Sequence, residues 1–427
     1  MILIAHCYEP EADRKLNSIM MIIHEYLQQS YRIAIDLTPL LETGENGGIN
    51  LFIDFLIKSL LRLAPDWKII LLTSSTNHHH VTQIYQKQAK TYCIKPNINH
   101  FNKILTYSVK LWHILRQVMG WNRVLHQLNV DLLLCPYTNT AYQESGIPTI
   151  TVVHDLQHLA IPQAFGWRER LYRQMFFQRL SYGASQIICI SEFTRQAMLQ
   201  AFPQSAQRLT VIHHGNYRQE LSLNIAEVHQ VVDCFGLQFE NYLFYPANTW
   251  PHKNHKTLLR AYLQYRNQCV APLDLVLSGA IIGNKLELQD FCQAHDLEPY
   301  VHFCGYVDPL SLEALWRGCY CLVFPSRYEG FGMPILEAMF YEKPILSSQA
   351  ASLPEVGGDA VLYFNPDDVT DLAAKLKKIT IEPQLGNELV KKGKQRLRKF
   401  STDDTAQRYL AIMINCLDES NSNNPGL

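Results

Sequence analysis

No stretch of the sequence reaches the roughly 18 consecutive apolar residues of a membrane-crossing helix, so nothing in it is expected to span a bilayer. The N-terminal MILIAHCYEPEADRK has no basic segment before its first acidic residues, which excludes the order of a secretory signal. Among 11 cysteines there is no C-x-x-C pair; most lie singly in apolar runs, as at Cys135 and Cys189, the pattern of reduced, buried thiols in a cytosolic protein. Cys319 and Cys321 form a C-x-C expected to place both side chains on one face of a strand. No Cys or His cluster accompanies the pair, so it does not read as a metal site. The formal net charge of -1 names no partner for the chain as a whole. The expected location is the cytoplasm, at most on the inner surface of a membrane.

Alternation of short apolar runs with longer periodic stretches is abundant. RIAIDL (32–37), KIILLT (68–73), DLLLC (131–135), TITVV (149–153) and QIICI (186–190) read as buried strands, with helical segments such as 49–64 and 167–183 between them. A second series follows: YLFYP (242–246), LDLVLSG (273–279), VHFCG (301–305), CLVFPS (321–326), KPILSS (343–348) and AVLYF (360–364). Strands apolar on both faces and alternating with helices imply parallel sheets covered on both sides. The predicted fold class is α/β, with two Rossmann-like, doubly wound domains facing across a cleft, which suits a chain of 427 residues. Boundaries fall at 1–215 and 216–400, with HHGNYRQELSLN (213–224) as linker. STDDTAQRYLAIMINCL (401–417) reads as a helix N-capped by Ser401 or Thr402, and the tail 418–427 has the composition of a disordered end. The run His78–His80 reads as a loop.

Ligands of open parallel sheets bind beyond the carboxyl ends of the strands. There the most informative stretch is PSRYEGFGMPILEAM (325–339), in which Glu329 and Glu337 flank a Gly-x-Gly turn at the end of a strand. Pro334 suits the start of a helix, so the amides of Phe331, Gly332 and Met333 are expected at a helix N-terminus able to hold an anion. A carboxylate accepts through two oxygens and suits a vicinal diol; one on each side of a phosphate-binding turn is the layout for a sugar–phosphate–nucleoside ligand. The bland alternative is that Glu329 caps the helix and Glu337 is solvated. In YPANTWPHKNHKTLL, Lys253 precedes a helix whose N-cap would be Asn254, where an ammonium could meet a diphosphate or simply face water. His154 and Asp155 follow the strand at 149–153, and the loop GENGG (44–48) offers Gly47 and Gly48 where backbone can approach phosphate. That loop is not G-x-G-x-x-G, so a dinucleotide reading is weak.

Together these stretches resemble the retaining glycosyltransferases of family 4, the group 1 transferases with the two-domain GT-B fold. The resemblance runs from about residue 31 to the end and is most specific through YPANTWPHKN, GYV at 305–307 and EGFGMPILE. It implies that Glu337 holds the nucleoside ribose, and that Glu329 with the amides around Gly330, Phe331 and Gly332 holds the sugar hydroxyls. It places Lys253 and the Gly47–Gly48 backbone at the diphosphate, His154 near the reacting sugar, and Gly305, Tyr306 and Val307 at the base. Ala247–Asn248 stands where many relatives have an arginine ahead of the lysine, so Asn248 brings hydrogen bonds but no charge. The Ala-Asn-x-x-Pro-His-Lys-Asn pattern leans towards bacterial mannosyltransferases and GDP-mannose. The implied reaction moves a hexose from a GDP- or UDP-linked donor to a glycan or polyprenyl-diphosphate-linked acceptor in cell-surface polysaccharide synthesis, with retention. No Asp-x-Asp occurs, so no metal clamp and no cofactor are expected. Competing readings are a non-catalytic nucleotide-sugar binder and an epimerase or phosphorylase on the same fold.

From Trp67 to Val130 there is no Asp or Glu, while Lys68, Lys87, Lys90, Lys95, Lys103, Lys110, Arg116 and Arg123 all occur. Within 101–128 these cations interleave with Trp112, Trp121 and leucines, the composition of an interfacial helix, or of a packed helix with a solvated basic side. Contact with anionic membrane is the expectation drawn; nucleic acid is not, since no recognition fold accompanies the basic face.

Overall fold

A computed structural model describes residues 26–40, 48–94, 123–138, 140–221, 223–280 and 285–423. Its frame is two sheets whose pairings are all parallel. The first comprises β1 (Arg32–Asp36), β2 (Lys68–Ser74), β3 (Lys90–Ile94), β4 (Leu132–Cys135), β5 (Thr149–Val153), β6 (Gln186–Cys189) and β7 (Leu209–Val211), in the order β3-β2-β1-β4-β5-β6-β7. The second comprises β8 (Tyr242–Pro246), β9 (Asp274–Ser278), β10 (Val301–Gly305), β11 (Cys321–Phe324), β12 (Ile345–Ser348) and β13 (Leu362–Phe364), in the order β10-β9-β8-β11-β12-β13. Central strands are buried along their length, β4, β5 and β11 at every residue, which is why they read as continuous apolar runs. Two strands were not legible. β3 (KTYCI) begins on an exposed lysine and is otherwise half-buried at the sheet edge, and β7 is three half-buried residues.

Each sheet reverses its winding once, between β1 and β4 and between β8 and β11. At such switch points the loops diverge and leave a crevice beyond the strand ends. The two crevices face each other because the chain returns. The Thr402–Asn423 helix lies back on the first unit, with Tyr409 and Phe52 rings 5.7 Å apart, Arg62 paired with Asp403 at 2.7 Å, and the Tyr26 hydroxyl donating to Asp418 at 2.6 Å. Burying rings such as Phe52 and Tyr409 is worth roughly 2–3 kcal/mol each, so this return is a structural tie rather than a loose end.

Four local expectations need correction. The helix continues through Asp418 to Asn423, so most of the supposed disordered tail carries helical structure; residues 424–427 lie outside the described set. His78–His80 open a helix, His78–Tyr85, because Val81 and Tyr85 are buried one turn apart. Cys319 and Cys321 do not share a strand: Cys319 ends the Pro309–Gly318 helix, its thiol donating to the Trp316 carbonyl at 3.2 Å, and only Cys321 enters β11. The stretch 213–224 is no free linker: His214 is buried, and the backbone amide of Leu221 donates to Glu313 at 2.8 Å. Gly47 and residues 95–122, the middle of the basic stretch, fall outside the described residues.

Candidate active site

The site forms where β8 and β11 end, on either side of the second switch point. After β8 the chain makes a single turn, Pro251–Lys253, held by the Lys253 amide bonding back to the Trp250 carbonyl and by the Tyr245 hydroxyl donating to the Lys253 carbonyl at 2.9 Å. This aims the Lys253 ammonium across the switch point at Glu329, which follows β11; Nζ and Oε1 are 2.6 Å apart and both side chains are largely buried. Two residues separated by 76 positions thus meet because their strands are neighbours. A charge-assisted contact of this length fixes both partners.

The turn after Glu329 is gripped from two sides. The Ser352 hydroxyl lies 2.9 Å from the carbonyl oxygens of both Glu329 and Phe331 and shares its one proton between them. From the first unit, Ser191 donates to the Gly330 carbonyl at 2.7 Å while also capping the Glu192–Ala201 helix through the Thr194 amide. Gly330 touches the strand-end loop of β5, where a Cβ would run into the carbonyl oxygen of His154; no other residue fits. Gly332 takes φ +110° and is the N-cap of the Met333–Phe340 helix, the left-handed conformation that glycine adopts without strain. Pro334 stands at the second position of that helix, not the first. The first amides of this helix have no acceptor within it, and the helix begins four residues beyond Glu329.

His154 lies deep under this turn with only part of its ring at the surface. Its Nε2 donates to the Pro136 carbonyl at 2.7 Å, and burial holds its pKa below the ordinary value, so the ring is neutral with Nδ1 as an acceptor. The neighbouring Asp155 is pushed the other way by burial. Phe52, from the Gly48–Leu63 helix that follows the first switch-point loop, stands 6.3 Å from the His154 ring and 4.6 Å from that of buried His214. Gly48 is the first residue of that helix, one turn from Phe52.

Glu337 lies within the Met333–Phe340 helix, almost wholly buried, and is paired with a cation that the sequence did not single out. Arg218, from the crossover between the units, reaches it with Nε 2.7 Å from Oε1. Burial opposes the guanidinium charge, but Glu337 outweighs that and raises the Arg218 pKa overall. Arg218 sits in a polar stretch that reads as a linker, and nothing local marks it. Glu355 was also missed. It accepts from the amides of Glu192 (2.6 Å) and Phe193 (3.0 Å) at a helix N-terminus of the first unit, and from His213 Nε2 at 2.7 Å. Asn254 occupies the N-cap position of the His255–Gln268 helix without capping it; its amide instead donates to the Pro325 and Pro366 carbonyls, tying the β11 loop down. Asn248 accepts from the Ala280 amide at 2.7 Å, which commits its carbonyl oxygen to the backbone. Gly305 has φ +64°, Tyr306 is 71% exposed and Val307 is half-buried at the end of β10, two strands from the Lys253–Glu329 pair. Among the described residues, no group of three or more His, Cys, Asp or Glu is placed to hold a metal ion.

Two facing doubly wound units, with an ammonium, a carboxylate and a helix N-terminus converging at the second switch point, define the GT-B class of glycosyltransferase. Residues 237–396 match the family described as "Glycosyl transferases group 1" and residues 47–216 match "Glycosyltransferase Family 4"; the chain belongs to these group 1, family 4 glycosyltransferases. It is 27% identical over 255 residues to the O-antigen chain mannosyltransferase B of Escherichia coli, covering 60% of this chain and 67% of that one. It is 26% identical over 284 residues to the serotype-specific mannosyltransferase WbdA of Escherichia coli; the match takes in 65% of this chain but only 35% of the larger relative. In fold it is similar to HepE of Anabaena, solved with UDP and glucose, at a TM-score of 0.67 and 16% identity, over 90% of this chain and 99% of that one. Among the described residues no helix is long and apolar enough to cross a membrane.

Proposed function

We propose that this glycosyltransferase moves a hexose, with retention at the anomeric carbon, from a nucleotide-diphosphate sugar to a hydroxyl of a glycan or lipid-linked acceptor in cell-surface polysaccharide synthesis. The observation that carries the reading is the Lys253–Glu329 pair at the second switch point, set against the His154 loop of the other unit. Lys253 and the amides of Gly332 and Met333 meet the diphosphate, and the charge that develops on the leaving group is matched by groups already in place. Glu329 accepts from the hexose hydroxyls and is aimed by Lys253. Neutral His154 offers Nδ1 to a further sugar hydroxyl. Glu337 accepts from the ribose diol, and Arg218 holds its carboxylate in register. Gly48 brings backbone towards the same phosphates, and Tyr306 with Val307 flanks the base. Asn248 contributes its amide donors where relatives bring an arginine.

The departing phosphate oxygen takes the proton of the attacking acceptor hydroxyl on the same face of the sugar. Lys253 and the helix amides lower its charge without removing its ability to accept. No divalent metal and no separate cofactor enter this scheme. Mannose is favoured because the relatives quoted above are named as mannosyltransferases. The protein would work in the cytoplasm, at the inner face of a membrane when its acceptor is lipid-linked. Thermal unfolding of the purified chain with GDP, UDP and ADP and their sugar conjugates, with and without EDTA, tests the donor class. Selective stabilisation by one nucleotide, unchanged by EDTA, supports the reading, and no shift with any of them removes it.

A further inference from the structure

The turn that carries Lys253 also walls a cavity of about 180 Å³, lined by Trp250, Pro251, Asn254, His255, Leu288 and Arg327 among others. Lys253 and Glu329 do not line it, although Pro251 and Asn254 flank the one and Arg327 precedes the other by two residues. The cavity is therefore distinct from the groups assigned to the donor. It has depth: Asn254, His255 and Leu288 are buried, whereas Trp250 is 46% exposed at its mouth. Sites for drug-sized ligands measure roughly 300–1,000 Å³, so this one has room for a single small ring.

The buried end of the cavity holds hydrogen-bonding capacity that the protein does not use. The Asn254 amide nitrogen donates to the Pro325 and Pro366 carbonyls, which fixes the amide's orientation. Its side-chain oxygen has no donor among the described residues. His255 stands 4.9 Å from the Tyr245 ring, and burial pulls its pKa down to about 4, so it carries one donor and one acceptor. At most one of its nitrogens reaches the Ala247 carbonyl, and the other has no partner. Buried polar atoms left unpaired are costly, and a ligand that pairs them accounts for their retention. The cations of the lining are already engaged, Lys256 with Glu287 at 2.5 Å and Arg327 with Asp367 at 2.7 Å. The free groups are thus neutral, which suits hydroxyls rather than a phosphate. A water would pair the polar atoms but leave the indole of Trp250 and the Leu288 side chain unused. A hexose ring matches both, with hydroxyls for Asn254 and His255 and a C–H face for the indole.

We propose that this cavity is a subsite for one neutral pyranose ring, either a unit of the glycan behind its reacting end or a free sugar. The choice of a sugar rests on the reading above, in which this chain handles glycans. The walls are the two strand-end loops that carry the Lys253–Glu329 pair. They are tied together at the cavity: the Arg327 amide donates to the His252 carbonyl at 2.8 Å, and Asn254 holds the Pro325 carbonyl at 3.0 Å. A ring bound between Trp250 and Arg327 rests on both loops, so a glycan held by that ring is anchored to the unit that binds the donor.

The test is saturation-transfer NMR on the full chain without nucleotide, with methyl α-mannopyranoside and a linear α-mannotriose as probes. Transfer to sugar ring protons is expected with the parent. Trp250→Ala should weaken binding about tenfold or more, as loss of an aromatic anchor does, while keeping its thermal midpoint and its thermal shift with nucleotide. Trp250→Phe should restore most of the binding, and Trp250→Gln serves if the alanine variant loses its fold. Transfer to the trisaccharide alone assigns the ring to a glycan unit, and equal transfer to both probes assigns it to a free sugar; either supports the subsite. The proposal is overturned if neither probe shows transfer, or if Trp250→Ala binds like the parent. It is also overturned if GDP or UDP displaces the sugar, since the ring then lies in the donor pocket. A chain that responds to a nucleotide but ignores both sugars loses the subsite and keeps the transfer reading. One that binds sugar through Trp250 but no nucleotide keeps the subsite and loses the transfer reading.

Discussion

Glu329 and Glu337 stand eight residues apart in the chain, and each is held by a cation, yet the two pairs are built differently. Glu329 belongs to a turn and is met by Lys253 from the adjacent strand end of the same sheet, so the pair is complete within the second unit. Glu337 is inside a helix and is met by Arg218 from the crossover, a segment that also anchors to the Pro309–Gly318 helix through Leu221 and Glu313. The first pair stands in the open crevice at the joint with the first unit. The second is more deeply buried and ties the segment between the units to the Met333–Phe340 helix. In the proposed scheme the first pair serves the chemistry and the second holds the donor's nucleoside.

The largest expected effect breaks the first pair. Glu329→Ala should lower kcat by at least about 100-fold, the loss typical of removing one preorganised polar group at a transition state. Nucleotide binding, read by thermal shift, should change only a few-fold. Equal loss of turnover and binding would mean that Glu329 merely supports the turn. Arg218→Met attacks the second pair and should show the opposite profile. It strands a carboxylate that is nearly buried, which costs about 3–5 kcal/mol of stability when one partner of a buried pair is removed. It should also raise the donor KM well ahead of any fall in kcat. If Arg218→Met is neutral in both readouts, Glu337 is satisfied by other groups and the contrast between the glutamates dissolves.

Gly330→Ala sharpens the comparison by acting between the pairs. The added methyl meets the His154 carbonyl oxygen, so the two units cannot close as they do here, while Lys253, Glu329 and Glu337 all remain. Turnover should fall roughly 10- to 100-fold, as expected when reacting groups are displaced by about 1 Å. Nucleotide binding to the second unit should stay near normal. Loss of nucleotide binding as well would place the effect on the local turn rather than on the joint.

How much of this could be read from the chain follows the same division. β8, β11 and the Glu–Gly–Phe–Gly turn are contiguous, and their apolar runs, glycines and carboxylates announce a strand-end site. The Lys253–Glu329 meeting was inferable once both were placed after neighbouring strands. Arg218 and Glu355 were not, because their partners are 119 residues away for the one and 142 to 163 for the other, and their own surroundings are ordinary polar sequence. The Trp167–Gly183 helix was bounded correctly, but an apolar residue every third or fourth position looks the same whether it faces core or solvent; only the packing shows which side is open. Of the four edge strands, β10 and β13 were read, but β3 and β7 were lost: KTYCI is broken by polar residues and LTV is three residues long.

The smallest expected effect concerns the outer edge of the joint, where Glu355 ties the second unit to the first. Burial pushes its carboxyl upward, but the bond from His213 and the two helix amides outweigh this, and its pKa lies below the ordinary carboxylate value. A carboxyl so lowered contributes stability that is fully present above the ordinary range and is lost as pH falls through its folded-state value. The contribution is of the order of 1–2 kcal/mol, comparable to a helix cap, because the Glu192–Ala201 helix loses acceptors for two of its first amides. Thermal midpoints followed from about pH 6 down to 3.5 should therefore fall more steeply for the parent than for Glu355→Gln, which cannot ionise. Glu337, bound to a permanently charged arginine, remains in both proteins and cancels in the difference. Parallel curves would show that the joint draws its stability from Gly330, Ser191 and the buried rings alone, and that closure of the cleft is indifferent to mild acid.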